Sequence, residues 1–190
     1  MDLFSTQLPP GLIYLDDWIS TAEHGAALAS IDGLPFNDVL SRRTQQYGYF
    51  YDYQSSEVNV RDLAPQPPEA LAKLSHRLAA EGYFHRVPDQ IIVNEYLAGQ
   101  GIAEHIDRDS FGPVVATVSL VESWPMLFKS PEDEEIEVLL RSSSLALMTG
   151  ASRTLWKHEI RKRKNDVVGG LKVPRTRRLS LTFRTVNDMD

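Results

Sequence analysis

The stretch GIAEHIDRDS, residues 101–110, sets His105, Asp107 and Asp109 at alternate positions directly behind the segment AGQG. On an extended strand alternate side chains share a face, which predicts that all three point the same way. A neutral imidazole beside a carboxylate is a pair of metal ligands. A histidine and an aspartate two apart also occur by chance in many chains, so the chemistry depends on distant partners. Of the other histidines, His24, His76 and His85 fall in or just after a helical first half, and only His158 lies among late β-rich runs. His105, Asp107 and His158 would make a two-histidine, one-carboxylate face that leaves positions open on ferrous iron for a bidentate cosubstrate and dioxygen.

Two further runs sort their side chains by the same alternation. In IIVNEYL the residues Ile92, Asn94 and Tyr96 share one face and Ile91, Val93 and Leu97 the other, so an amide and a phenol enter an apolar run as core groups or as ligands. In RRLSLTFRTV, Arg178, Ser180, Thr182 and Arg184 face away from Leu179, Leu181 and Phe183. Such a strand is either a solvent-facing edge or the wall of an anion pocket, in which Arg178 or Arg184 would neutralise the carboxylates of a diacid cosubstrate. Six strand residues span about 20 Å, so both arginines reach one small diacid only if their side chains converge.

The elements that must position these groups are a helical first half and a β-rich second half. STAEHGAALASI offers Ser20 or Thr21 as a helix cap, and PPEALAKLSHRLAAEG repeats Leu71, Leu74 and Leu78 at helical spacing before Gly82. Between them RRTQQYGYFYDY predicts a hairpin or extended arm. From residue 90 on, short β-rich runs predict an antiparallel sandwich or jelly roll, with the helices packed outside one sheet, an α+β but mainly β fold. KNDVVGGLKVPRTR is predicted to be a loop and NDMD a frayed end. The 190 residues fit one domain, 42% hydrophobic and without cysteine, so a metal must take nitrogen and oxygen ligands. No leader or long apolar span is evident, and the expectation is a cytoplasmic monomer away from membranes. The net charge of −6 hides a basic stretch from Arg141 to Arg184 in which Glu159 and Asp166 are the only acids. Its RKRK run, residues 161–164, is either a solvated surface or a face for phosphate.

Taken in order and spacing, NEYLAGQGIAEHID, GASRTLWKHEI and RRLSLTFR resemble the AlkB family of iron- and 2-oxoglutarate-dependent dioxygenases, over roughly residues 35–186. The resemblance implies a double-stranded β-helix core at 90–186 with a nucleotide-recognition arm at 35–60, and Fe(II) on His105, Asp107 and His158. It implies 2-oxoglutarate on Asn94, Tyr96, Arg178, Ser180 and Arg184, with O2 as co-oxidant. Substrate contacts would fall to Arg43, Gln46, Tyr47 and Tyr49, and to Asp109, which matches an acid that repair members carry beside the target base. Many members have glycine after the second histidine, where this chain has Glu159. The implied activity is oxidative demethylation of N-alkylated bases in DNA or RNA. The alternative is hydroxylation of a modified wobble uridine in transfer RNA, toward which RRTQQYGY and RRLSLTFR lean.

Overall fold

A computed structural model describes residues 7–187 apart from 54, 56 and 169. The predicted end at NDMD lies, after Asn187, outside the described residues. In chain order the elements are β1 (Leu12–Leu15), α1 (Thr21–Asp32), β2 (Arg43–Asp52), β3 (Glu57–Leu63), α2 (Glu69–Ala80), β4 (Gln90–Leu97), β5 (Ile102–His105) and β6 (Phe111–Leu120). There follow β7 (Trp124–Lys129), β8 (Glu135–Leu140), β9 (Leu145–Met148), α3 (Gly150–Thr154), β10 (Lys157–Ile160), β11 (Asn165–Val168), β12 (Leu171–Pro174) and β13 (Arg177–Val186). No helix among the described residues is long and apolar enough to cross a membrane.

Seven strands form a large antiparallel sheet in the order β1-β9-β6-β13-β4-β2-β3, and β5-β10-β7-β8 form a smaller one. The alternation read from β13 divides the molecule. Leu179, Leu181 and Phe183 join Ile91, Val93, Leu71, Leu74 and Leu78 in a core between the large sheet and the helices. On the other face Tyr96, Val115 and Met148 meet Trp124, Phe128, Ile136, Val138 and Ile160 of the small sheet. The fold is the mainly β jelly roll, with helices outside one sheet, that the sequence predicts. Ser20 caps α1 in a reciprocal capping box with Glu23, and α2 begins after Pro68 and buries Leu71, Leu74 and Leu78.

Two differences from the sequence reading are local. KNDVVGGLKVPRTR is not a plain loop: β11 and β12 pair antiparallel with Val167 opposite Lys172, and Gly170 turns at φ 81°. The runs VV and LKV on either side of paired glycines carry that hairpin signal. The second difference is at Gly48, in QYGY. Its φ is 79°, and a Cβ there would stand 1.8 Å from the Asp89 carbonyl oxygen. Up to Gly48, β2 pairs with β4; from Tyr49 it pairs with β3 across a register irregularity. The left-handed residue thus stands where the arm passes from one partner strand to the other, and the register breaks between Tyr49 and Tyr51.

Gly48→Ala is expected to destabilise the fold by roughly 1–3 kcal/mol or more through backbone strain and the clash with Asp89. Gly25→Ala on α1, where a Cβ meets nothing within 4 Å, is expected to stabilise by up to about 1 kcal/mol from helix propensity. Urea unfolding followed by circular dichroism reads both, and shifts of the same sign would contradict the assigned backbone geometry.

Candidate metal centre and cavity

His105 ends β5 and His158 lies in β10, directly opposite it in the antiparallel register, with ring centroids 4.3 Å apart. Asp107 follows where β5 has ended. Its Oδ2 stands 3.8 Å from His158 Nε2, and one ligand atom from each of the three residues lies within 4.8 Å of the others. His105 Nδ1 is 2.8 Å from the Ala103 carbonyl oxygen. A carbonyl can only accept, so Nδ1 carries the proton and Nε2 presents its lone pair. The single-face expectation holds for His105 and Asp107 but fails for Asp109, because the strand does not continue: Asp109 is exposed in a turn and does not line the cavity.

Electrostatics hold Asp107 and His158 in their ligand forms. Burial pushes the Asp107 carboxyl up, but Arg184, His158 and His105 outweigh it and its pKa is lowered. Burial, followed by the neighbouring His105, pushes His158 down to about 4 against the pull of Asp107, so the imidazole is neutral at physiological pH. A carboxylate and two neutral imidazoles are the donors a ferrous ion accepts. Arg184 donates from Nη1 to Asp107 Oδ1 at 2.6 Å and from Nε to Gln90 at 2.8 Å, and its guanidinium lies 3.9 Å from the Phe111 ring centre. A residue the sequence reading missed holds the main chain. Buried Arg153, from α3, donates to the carbonyls of Asp107 (2.9 Å), Arg108 (2.8 Å), Phe111 and Gly112 (both 3.2 Å). Its only sequence signal was a basic side chain in GASRTLWKHEI, five residues before His158.

The triad opens into a cavity of about 520 Å³ between the two sheets. Asn94, Tyr96, Ser180, Thr182 and Arg184 line it, as the shared faces of β4 and β13 predict, since Ser180 pairs with Asn94 and Arg178 with Tyr96. Arg178 is fully buried behind this wall, 5.8 Å from the Tyr96 ring centre, with Nη2 donating to Ser119 Oγ at 2.8 Å. Its Nε and Nη1 have no partner among the described residues, and burial pushes its pKa down to about 10. A buried guanidinium with unpartnered donors is suited to an anion. The two arginines do not converge: Arg184 serves the metal end and Arg178 the far end of the strand.

The arm residues chosen from sequence fall elsewhere. Arg43 pairs opposite Glu95 on the helix side of the sheet, bonded to it at 2.5 and 3.0 Å and lying over Phe36. Tyr47 is buried in the helix-side core with its hydroxyl on Gln45. Tyr49 packs beside Val58 and Val186 and borders a separate, smaller cavity with Tyr47. Gln46 does not line the main cavity; its amide grips both the N–H and the carbonyl of Tyr51, at 2.7 and 3.0 Å. The residues that do line it are Arg42, Tyr51 and Tyr53, with Arg108 from the clamped loop. Tyr51 and Tyr53 meet edge to face at 5.1 Å, and Arg42 lies 5.6 Å from the Tyr53 ring centre while donating to Asn94 at 2.8 Å. Tyr47 belongs to the stretch paired with β4, whereas Tyr51 follows the register irregularity after Tyr49 and Tyr53 lies in the turn beyond β2.

Comparison with known proteins agrees with this geometry. The sequence pattern of the 2OG-Fe(II) oxygenase superfamily matches residues 14–184. The chain is 35% identical over 207 residues to the mouse protein named tRNA (carboxymethyluridine(34)-5-O)-methyltransferase ALKBH8, with 96% of this chain but only 31% of that protein covered. It is 29% identical over 204 residues to the alkylated DNA repair protein ALKBH8 homolog of Arabidopsis thaliana, covering 94% and 59% of the two. The solved structure of OsALKBH1 shares the fold at 21% identity with a TM-score of 0.73, over 95% of this chain and 99% of that one.

With Co(II) as an oxygen-stable probe, calorimetric titration is expected to give one ion per chain. His158→Ala should weaken binding by at least roughly 100-fold, more than the loss of an outer partner costs, while His76→Ala on the surface of α2 should leave it unchanged. Equal binding by both variants would place the metal elsewhere.

Proposed function

Because the chain belongs to the 2OG-Fe(II) oxygenase superfamily, and within it to the AlkB family, we propose that it oxidises a substituent on a nucleobase of RNA, with a modified uridine of transfer RNA as the favoured substrate. It is a dioxygenase that uses Fe(II), 2-oxoglutarate and O2. When bound, iron and 2-oxoglutarate together supply oxidation of a C–H bond by dioxygen, with release of succinate and carbon dioxide.

The protein's own part is positioning. His105, Asp107 and His158 would hold the metal on one side only. Arg178 would take the distal carboxylate of 2-oxoglutarate with its two unpartnered nitrogens, and Asn94, Tyr96 and Ser180 would orient the rest of the molecule. Arg184, committed to Asp107 and Gln90 through Nη1 and Nε, fixes the ligand carboxylate and leaves Nη2 for the cosubstrate. A base cannot reach this cavity from inside a helix, so it must be extruded, and Tyr51, Tyr53 and Phe111 offer rings to replace the lost stacking.

The observation that carries the choice of base is the charge of the cavity wall. Arg42 and Arg108 line it, whereas Asp109 is outside. Of the acids that line it, Asp107 is bound to Arg184 and Glu104 is paired with Lys157 at 3.2 Å. A methylated adenine or cytosine that carries positive charge meets cations without a free counter-charge, while a neutral uracil, or one bearing a carboxylate, does not. The mouse relative's name, which specifies carboxymethyluridine in transfer RNA, agrees with this preference. The second reading, N-demethylation, is supported by the repair name of the Arabidopsis relative and shares the same aromatic roof.

Product mass spectrometry on bulk transfer RNA and on a panel of methylated DNA and RNA oligonucleotides separates the two. Hydroxylation of a uridine side chain adds one oxygen, whereas N-demethylation removes a methyl group as formaldehyde. Turnover confined to cationic methylated bases would overturn the uridine reading. Tyr51→Ala is expected to weaken substrate by about 1–3 kcal/mol, the worth of one base–aromatic stack, without changing substrate-free 2-oxoglutarate turnover. Arg178→Ala should do the reverse, raising the 2-oxoglutarate requirement by an amount on the order of 2–5 kcal/mol and leaving the substrate requirement in place.

A further inference from the structure

The RKRK run does not behave as one basic patch. Arg161 is paired with Glu159 and with Glu135 of β8, both at 3.0 Å, and Arg163 with Glu137 at 3.0 Å and Asp166 at 3.5 Å. These two arginines tie the segment to the small sheet. Lys162 and Lys164, between and after them, are exposed and have no acidic partner among the described residues. Their stems lie against the glycine loop that precedes the metal-binding segment: a Cβ on Gly101 would be 3.2 Å from Lys162 Cγ, and one on Gly99 would be 3.7 Å from Lys164 Cγ.

That loop is bound on both sides. The Gly99 N–H donates to the Arg163 carbonyl at 2.9 Å, and a Cβ on Gly101 would fall 2.1 Å from the Ile160 carbonyl oxygen, so only glycine lets the two segments approach. The Gln100 side chain bonds the Ser41 carbonyl, next to Arg42 of the cavity wall. On the other side the loop runs directly into Ile102, which also lines the cavity. Lys162 and Lys164 therefore lie beside the loop that leads into the cavity lining, and they are the members of the run without an acidic partner among the described residues.

We infer that Lys162 and Lys164 form a phosphate-binding rim that grips the strand flanking the target nucleotide, an inference that rests on the nucleic-acid reading above. A lysine ammonium is a point charge on a flexible stem, suited to phosphodiesters whose positions vary with sequence, and it contributes affinity without reading bases. The acids of β8 neutralise the arginines behind the rim, so the free charge is confined to its edge.

The test measures binding of a fluorescent single-stranded RNA against salt, for the wild type, Lys162→Ala/Lys164→Ala and Lys73→Ala. Lys73, on α2, is paired with Glu69 and serves as a remote control. The slope of log affinity against log salt is expected to shallow by about 1.4 in the double variant, about 0.7 for each phosphate no longer neutralised, and to stay unchanged in Lys73→Ala. The KM for RNA should rise while substrate-free 2-oxoglutarate turnover stays at the wild-type rate. Wild-type RNA binding with an unchanged slope and KM in the double variant would overturn the rim alone. No salt-dependent RNA binding by the wild type would overturn the rim together with the nucleic-acid reading.

Discussion

Asp107 belongs to no helix or strand, yet it must present its carboxylate to within coordinating distance of two histidines that are fixed by sheet pairing. Everything around the site serves that one residue. Arg184 holds its side chain, and Arg153 holds its backbone together with the next five residues. Burying a guanidinium is costly unless its donors are satisfied. Arg153 meets that condition with four carbonyls, which cannot titrate and so hold the loop independently of pH. Arg184 meets it with a carboxylate and an amide. Arg178, the third buried guanidinium of the site, makes a single bond to Ser119, and its Nε and Nη1 are buried without a partner among the described residues.

The large sheet lets these charges exist by dividing its labour between faces. Leu179, Leu181 and Phe183 of β13, with Ile91 and Val93 of β4, bury completely against α1 and α2. Full burial of each such side chain contributes roughly 1.5–3 kcal/mol, and the same strands then carry Arg178, Arg184, Asn94 and Ser180 on the other face. Cross-strand register makes the arrangement specific: Ser180 opposite Asn94 and Arg178 opposite Tyr96 put the polar groups proposed to hold the cosubstrate side by side without any loop having to order them. A slip of one residue would turn the arginines into the helix-side core and the leucines into the cavity, so the hydrophobic back fixes the polar front.

Period-two alternation made most of this legible in the sequence. It separated the two faces of IIVNEYL and RRLSLTFRTV, and the scarcity of histidines among the β runs singled out His158. It failed where the backbone leaves the regular strand. Beyond the left-handed Gly48 the arm changes its pairing partner, its register breaks between Tyr49 and Tyr51, and it is Tyr51 and Tyr53, not Tyr47 and Tyr49, that line the cavity. The end of β5 at His105 released Asp109 from the face it would have shared and brought Arg108 to the cavity instead. Arg42 and Arg43 are adjacent and chemically identical, and only the pairing of Arg43 with Glu95 decides which one reaches the cavity. Arg153 was beyond such reasoning altogether, because a guanidinium that binds carbonyls leaves no complementary side chain in the sequence to find it by.

The distribution of charge fits a chain of net charge −6 to the polyanion proposed as its substrate. Its acids are not spread evenly against the substrate. Glu95 absorbs Arg43 and Arg177, Glu135 and Glu137 absorb Arg161 and Arg163, and Asp166 absorbs Arg175. The cations without an acidic partner among the described residues include Arg42 and Arg108 at the cavity and Lys162 and Lys164 beside the glycine loop that leads into it. Beyond one Debye length, about 8 Å at physiological salt, an approaching strand is screened from the remote acids and responds to the local charge alone. For the proposed substrate, a net negative charge with free cations beside the cavity would disfavour docking in other orientations and so filter orientation rather than oppose binding.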